Sequence, residues 1–592
     1  MDNQRNLLLA VALSGLLILG WDMALRFFYP EASLSGTETE QTAAPAQAGA
    51  ASTGNAPAAA GKLDGAAAQP AGPVNLKTAL GSVNRVKIDA PRMAGSINLI
   101  GARIDDIVLK DHRQTVEKDS GPVRLFAPQG TSEQYFAQFG FLQNSKVLSD
   151  STVWQADGEV LSAAQPVTLT HDNGAGLLYS IKLSVDDNYM ITASQTVQNT
   201  GEGAAVVQPF SFINRTSTMA TPDEFIVHSG PIGVFGGALD DENNYEDLAE
   251  IGSYAPQGKA VWLGFTDRYW LSALVPAEQG ATTNYRSLGG QLFRSDVIYY
   301  PVTLAAGQSV SQETRLFAGA KESAVLDQYA ESGIDQFGLA ISWGWFRFIE
   351  KPMLSVLKLL FGFAGNFGVA IILLTCLIRG LMFPIAQKQF GSMAAMKAVQ
   401  PKMKALQERY KDDKQQQQQE VMKLYKEEGV NPLAGCLPLV IQIPIFFALY
   451  KCLILAIEMR HEPFYLWLRD LSAPDPAKIL NLFGLLPFDP PGFLGIGILA
   501  VLLGVTMWLT FKLNPSAMDP MQQQIFNFMP WILMFVMAPF AAGLLLYWVT
   551  SNILTLAQQS YLYSKHPQLR AAAEKEKADK ARAAADSAAK SK

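Results

Sequence analysis

Cysteine is almost missing from this sequence. Three occur in 592 residues (Cys376, Cys436, Cys452), all in or beside apolar runs, and none lies between positions 27 and 340. That long polar region must therefore hold itself together by packing alone, and the three thiols read as small buried hydrophobes. Histidine is also scarce, with five in the chain. His112, His171 and His228 lie too far apart in sequence to suggest a metal or catalytic set. There is no glycine-rich phosphate loop ending in Gly-Lys, no metal-ligand spacing and no nucleophile triad, so neither a nucleotide fuel, a cofactor nor covalent chemistry is implied. Ser355 and Lys358 match an S-x-x-K pair, but the rest of that acyl-transfer signature is missing and the match reads as coincidence.

Basic residues are unevenly rationed. Positions 27–340 hold 19 Lys or Arg against 34 Asp or Glu, and the loop 458–492 has only Arg460, Arg469 and Lys478. The loop 386–428 holds nine basic side chains. Against this background stand six apolar stretches, roughly 6–25, 361–383, 433–456, 493–511, 525–540 and 541–562, each near the ~20 residues that cross a ~30 Å hydrocarbon core. The last two need a tight hairpin around Pro539 and Gly543. The excess of Lys and Arg places 386–428 in the cytoplasm and 458–492 outside. Six spans then put both termini in the cytoplasm and the acidic region across the membrane.

The parts follow in order. Residues 1–26 contain either a cleaved signal or an anchor, and Asp22 and Arg26, in place of a small-x-small cleavage site, favour the anchor. An Ala-, Gly- and Pro-rich tether covers 27–75. From 76 to 335 the pattern is one of short alternating runs broken by turn residues. In 167–199 the turns Asp-Asn-Gly and Asp-Asp-Asn separate three strand-like segments, which predicts antiparallel hairpins and a large β-sandwich. Residues 336–565 form the membrane core, opening with an amphipathic segment over about 341–360 that suits the outer membrane surface. In the cytoplasmic loop, Met396, Val399, Met403, Leu406 and Tyr410 step by three and four, with Val421 and Leu424 or Tyr425 beyond the turn at Asp412-Asp413. This pattern predicts a helical hairpin, kinked at Pro401, that either connects two spans or receives a partner. The Ala- and Lys-rich tail, 566–592, reads as a frayed helix able to touch anionic lipid or RNA.

One charge lies deep within an apolar run. Arg379 lies within TCLIRGLMFP (375–384). A guanidinium at the centre of a membrane helix costs ~3 kcal/mol on insertion scales and ~10–17 kcal/mol in simulations of an isolated helix. It implies a wet or paired surrounding. Thr375 lies one turn away, Gln442 falls in another span, and Trp548, Ser551 or Asn552, Thr555 and Gln559 recur at helical spacing in the last span. Together they suggest a hydrated groove. Without fuel or chemistry, such a groove suits lowering the barrier for another polypeptide to enter the bilayer. About twenty apolar residues contribute roughly −10 kcal/mol of partition, and the arginine would attract a passing carboxylate by ~4 kcal/mol at an effective dielectric near 20. The alternatives are an anion transporter using Arg379 and a receptor whose outer domain binds a glycan.

The runs TCLIRGLMFP, NPLAGCLPLVIQIPIFFALY (431–450), DPMQQQIFNFMP (519–530) and LLYWVTSN (545–552) resemble the YidC family of bacterial membrane protein insertases, in order and spacing over about 340–565. The resemblance implies a polytopic α-helical membrane protein, with six transmembrane helices, a five-helix insertase core and a large periplasmic β-supersandwich. It implies an insertase and chaperone without enzymatic bond chemistry or nucleotide. Its partners would be nascent membrane proteins, the lipid bilayer, the Sec translocon, and ribosomes with targeting factors at the cytoplasmic face. Arg379 would be the groove's charge, with Ile443, Phe446 and Tyr547 on the apolar path of substrate helices. Phe383 and Trp548 stand where relatives often carry tyrosine, and the tail is only mildly basic.

Overall fold

The computed structural model describes residues 74–565 apart from 82–83, 118, 145, 149–150, 218–227, 278–279, 411–412, 430–436, 484, 487, 489, 491–494 and 514–519. The expected anchor (1–26), nearly all of the tether, the tail and Cys436 lie outside the described residues.

The acidic region forms two antiparallel-dominated sheets packed face to face. One has twelve strands, and its main path runs from edge to edge through Ser253–Tyr254, Ala281–Gly289, Leu292–Tyr299, Ala205–Thr216, Tyr135–Gln143, Arg103–Arg113, Met93–Asn98, Arg85–Asp89 and Val160–Leu161. The nine-stranded sheet runs from Ala238–Asp240 to Gln155–Ala156, with Trp270–Pro276, Ser309–Ala320 and Met190–Asn199 in its middle. Strands Val167–Asp172, Leu177–Val185 and Met190–Asn199 are consecutive antiparallel neighbours in that sheet. Their turns work because an aspartate carboxylate accepts a backbone N–H two residues on: Asp172 from Gly174 at 2.8 Å, and Asp186 from Asn188 at 2.9 Å. Along Leu177–Val185 buried and half-exposed residues alternate, as one covered face requires.

Without disulfides, the space between the sheets is closed by aromatics and by polar groups that bond from one sheet to the other. The Tyr285 hydroxyl donates to the Ile232 carbonyl at 2.7 Å, and the Gln195 amide donates to the Gly140 carbonyl at 2.7 Å, each linking one sheet to the other. Fully buried Arg215 pairs with Asp267 at 3.1 Å and lies over the rings of Tyr135 (4.4 Å) and Tyr245 (5.1 Å). A buried ion pair stabilises only when its remaining donors are also served, and the two rings contribute to this.

The helical part begins with α1 (Arg347–Ala364), which buries Glu350, Met353, Leu354 and Leu357 and exposes Phe348, Leu359 and Phe363. Gly365, with φ of 66°, ends α1 in the left-handed conformation, and the Asn366 side chain then accepts from the Val369 N–H at 3.1 Å to start α2 (Phe367–Arg409). This moves the predicted span start: residues 361–364 belong to α1, and the span begins at Phe367. α2 also continues unbroken through Pro384 and Pro401, so the first arm of the expected hairpin over 386–428 is an extension of the span, not a separate helix. The Asp413 carboxylate caps α3 (Lys414–Glu427), and Val399, Met403 and Leu424 form a small core between the arms, flanked by Leu406, Val421 and Tyr425.

The remaining helices are α4 (Leu437–Leu455), α5 (Ile498–Leu513), α6 (Pro520–Met537) and α7 (Ala542–Lys565). Among the described residues, 367–389 alone is long and apolar enough to cross a membrane by length and composition, while 441–455, 498–512 and 527–537 are shorter apolar stretches. The turn between α6 and α7 is held by the 471–474 segment: Ala542 N–H donates to the Ala473 carbonyl at 2.8 Å and Gly543 N–H to Leu471 at 2.9 Å.

The β domain is tied to the helical part by polar contacts. Arg268 donates to the Ile454 carbonyl at 2.7 Å. Arg460 reaches the carbonyls of Arg113 (2.8 Å) and Gln114 (3.1 Å), with its guanidinium over the Trp270 ring. Lys351 pairs with Asp327 at 2.7 Å. The loop between α4 and α5 therefore lies on the same side of the membrane as the β domain.

At this junction Glu350 is fully buried, and neither carboxylate oxygen has a hydrogen-bond partner among the described residues. Burial pushes its carboxyl up to about 7, opposed by the nearby Lys451 ammonium. A carboxyl raised in the folded state binds its proton there while the unfolded chain has already lost it, so its contribution declines as pH rises from about 4.5 through 7. The expected outcome is a thermal midpoint in detergent that falls across this window in the native chain, with that component absent in Glu350→Gln. An unchanged pH slope in the variant would show that Glu350 is not its source.

Candidate substrate groove

Arg379 lies one residue past the midpoint of the 367–389 span, about 15 Å of helix from its Gln389 end. The side chain is half-buried. Its Nε donates to the Ser551 Oγ on α7 at 3.0 Å, and Nη2 reaches the same oxygen. No carboxylate pairs with it among the described residues. A guanidinium has five N–H donors, and one neutral hydroxyl cannot satisfy them. The remaining donors face whatever polar matter enters the space beside α2 and α7.

The other predicted groove residues differ in where their polar groups go. Among the described residues, Ser551 is the one of them that hydrogen-bonds to the guanidinium. Gln442 on α4 donates to the Tyr547 hydroxyl on α7, placing a second polar contact one turn towards the outer side of Ser551. Thr375 is buried and its hydroxyl donates to the Ile371 carbonyl at 2.6 Å, so its polarity is spent on its own helix. Thr555 does the same with the Ser551 carbonyl at 2.7 Å.

Asn552 is not brought to Arg379. A helix turns about 100° per residue, so when Ser551 faces α2 its neighbour faces elsewhere. The Asn552 amide donates to the Thr506 hydroxyl on α5 at 3.1 Å, and both are buried. This is an interhelical clamp. Trp548 meets Phe446 edge to face, ring centroids 5.0 Å apart. Ile443 is 58% exposed and Phe446 half-buried, whereas Tyr547 is 1% exposed and so is closed off from a passing helix.

One contact escaped the sequence pattern. Gln558 donates to the Arg379 backbone carbonyl at 3.3 Å. It lies seven residues after Ser551 and hence on the same face, a signal masked by the apparent stripe through Gln559. Gln559 is 5% exposed, and its Oε1 has no partner among the described residues.

Two packed sheets joined to a helical core that carries a mid-span arginine suit a membrane protein with a large domain outside the bilayer. The comparisons agree: residues 85–356 match the family described as "YidC periplasmic domain", and residues 359–569 match "60Kd inner membrane protein". Curated relatives from Bradyrhizobium diazoefficiens and Zymomonas mobilis, each named "Membrane protein insertase YidC", are 42% identical. The alignments cover 96% of this chain and 97% of the relative in the first case, and 95% and 96% in the second. A relative of the same name from Methylorubrum extorquens is 43% identical, over 94% of each chain. The chain belongs to the YidC family of membrane protein insertases. Insertion of newly made membrane proteins is its function, and the anion-transporter alternative has no support.

If Asn552 clamps α7 to α5 and takes no part in binding, Asn552→Ala should lower stability by about 1 kcal/mol and leave the substrate preference of insertion unchanged. Detergent unfolding and a panel of substrates differing in tail charge would measure both.

Proposed function

We propose that insertion proceeds through a groove between α2, α4 and α7 in which Arg379 is the electrostatic attractor. Ser551 positions its guanidinium, and Gln442 with Tyr547 provides a second polar contact. The single observation that carries this reading is a mid-span guanidinium whose partner among the described residues is a neutral hydroxyl. Paired with a carboxylate, Arg379 would be a structural strut. Bonded to one serine, it keeps both its charge and spare donors for a transient guest.

The energetic logic needs no fuel. An apolar substrate segment enters lipid for roughly −10 kcal/mol, enough to draw a short polar tail part of the way across. Water and a cation inside the bundle lower the barrier for that tail. The attraction of ~4 kcal/mol before desolvation favours passage without trapping the chain. Exposed Ile443 and the edge-to-face pair of Phe446 with Trp548 give the substrate's apolar helix a surface beside the polar one. Tyr547, sealed at 1% exposure, would contribute through its bond to Gln442 unless α4 and α7 separate.

The topology proposed is six spans with both termini in the cytoplasm, the β domain in the periplasm and the α2–α3 hairpin in the cytoplasm. The basic side chains of 386–428 support this orientation. The same hairpin and the basic tail are proposed to receive ribosomes and targeting factors, and the bundle to work alone on small substrates and beside the Sec translocon on large ones. These partner assignments rest on the family resemblance.

The test is nucleotide-free insertion into proteoliposomes. Native protein should insert a single-span substrate with a short acidic tail, and Arg379→Lys should largely retain this. Arg379→Glu should reduce it by about tenfold or more, while affecting substrates with neutral tails much less. Equal activity of Arg379→Glu on every tail would remove electrostatics from the mechanism.

A further inference from the structure

The loop between α4 and α5 carries a patch unlike the rest of the periplasmic surface. Ile479 through Phe488 (ILNLFGLLPF) contains no charged residue. Its large side chains point outward: Leu485 is 81% exposed, Phe483 58%, Leu482 53% and Phe488 51%. Such a contiguous apolar surface on a soluble face needs a partner.

We propose that the described residues 479–483, 485, 486 and 488 insert into the outer leaflet of the membrane, as a lipid-dipping loop beside the spanning helices. Three observations favour lipid over a protein partner. The first is level. The loop's base is locked to the outer end of α5: Lys478 bridges to Gly497, Ile479 N–H donates to the Ile496 carbonyl at 2.9 Å, and α5 starts at Ile498. The Asp475 carboxylate ties this base together, accepting from Leu499 N–H at 2.8 Å and from the Trp467 indole at 2.9 Å.

The second is a matching tip at another span. Leu466 is 88% exposed in a turn whose Phe464 ring packs on Gly368 at the outer end of α2, where the Asn366 amide also donates to the Pro463 carbonyl at 3.1 Å. Two apolar tips thus sit at the outer ends of two different spans, the plane in which the bilayer interface must lie.

The third is backbone accounting. Hydrocarbon offers no hydrogen bonds, so a loop that enters it must satisfy its own N–H groups. This one largely does. Phe483 N–H donates to Lys478 at 2.9 Å, Leu486 to Asn481 at 3.0 Å, Leu482 to Ile479 at 3.0 Å and Phe488 to Leu486 at 2.9 Å. Leu482 and Phe483 both take positive φ to achieve it (51° and 62°), a conformation that bulky residues rarely adopt. That local closure leaves few of the described backbone N–H groups in need of water.

The test places an environment-sensitive fluorophore (NBD) on single cysteines in a full-length chain whose native cysteines are replaced by alanine. The sites are Leu485→Cys and Leu466→Cys, with Glu202→Cys on the exposed β-domain surface as control. Variants that still insert substrate are reconstituted in phosphatidylethanolamine–phosphatidylglycerol vesicles. The expected result is a blue-shifted signal at both loop sites, quenched several-fold more by doxyl-labelled phospholipid than by aqueous iodide, with the reverse at position 202. Iodide quenching at the loop equal to that of the control would overturn the proposal. So would protection from both quenchers that disappears when the protein is diluted in lipid, which would assign the patch to a second copy of this chain. Should Leu485→Cys not fold, Leu482→Cys carries the same readout.

Discussion

A guanidinium held at the middle of a membrane span is the constraint around which the helical part is arranged. The charge cannot leave, because α2 runs straight through it from Phe367 to Arg409. Nor is it cancelled, since Ser551 provides a neutral oxygen and no carboxylate reaches it among the described residues. Its N–H donors then need acceptors, of which α7 offers the Ser551 hydroxyl oxygen. This explains why α2 and α7 are joined twice at this level, once through Ser551 and once through the Gln558 amide on the Arg379 carbonyl. A bundle that sealed this region with apolar side chains would leave several guanidinium N–H groups in hydrocarbon without partners.

Around that polar centre most other polar groups in the spans are neutralised locally. Thr375, Thr506, Thr550 and Thr555 return their hydroxyls to carbonyls three or four residues back. Asn552 and Thr506 satisfy each other between α7 and α5. The described residues thus show closed pairs that hold helices together, beside an arginine whose partner is a neutral hydroxyl and which the proposed mechanism leaves open to a guest. The β domain follows the closed pattern on a larger scale, with Arg215, Asp267 and the flanking tyrosines substituting for the disulfides it lacks. Its contacts through Arg268 and Arg460 fix where the outer loop of the core sits.

Much of this was legible in the residues. Asp-Asn-Gly and Asp-Asp-Asn marked two real hairpin turns, because a short acidic side chain that bonds two residues ahead acts locally. The seam of Val399, Met403 and Leu424 was readable for the same reason, helical period being a property of nearby sequence. Less legible was where helices begin. The apolar run at 361 continues smoothly into the span, and it is the left-handed Gly365 with the Asn366 cap that separates α1 from α2. The polar stripe of the last span was read too broadly. Residues 551 and 552 both fit a coarse period, yet a 100° rotation sends them to different neighbours.

By itself, the order of residues determined the charge asymmetry, the apolar runs, the alternating strands and the arginine among hydrophobes, all of which depend on composition within a few turns of chain. It also determined the family. Which polar groups meet was decided only in three dimensions. Ser551 reaches Arg379 across 172 positions, Gln442 reaches Tyr547 across 105, and the base of the outer loop closes on the start of α5. Pairings of that kind depend on how helices rotate against one another as they pack, and no local periodicity encodes that angle.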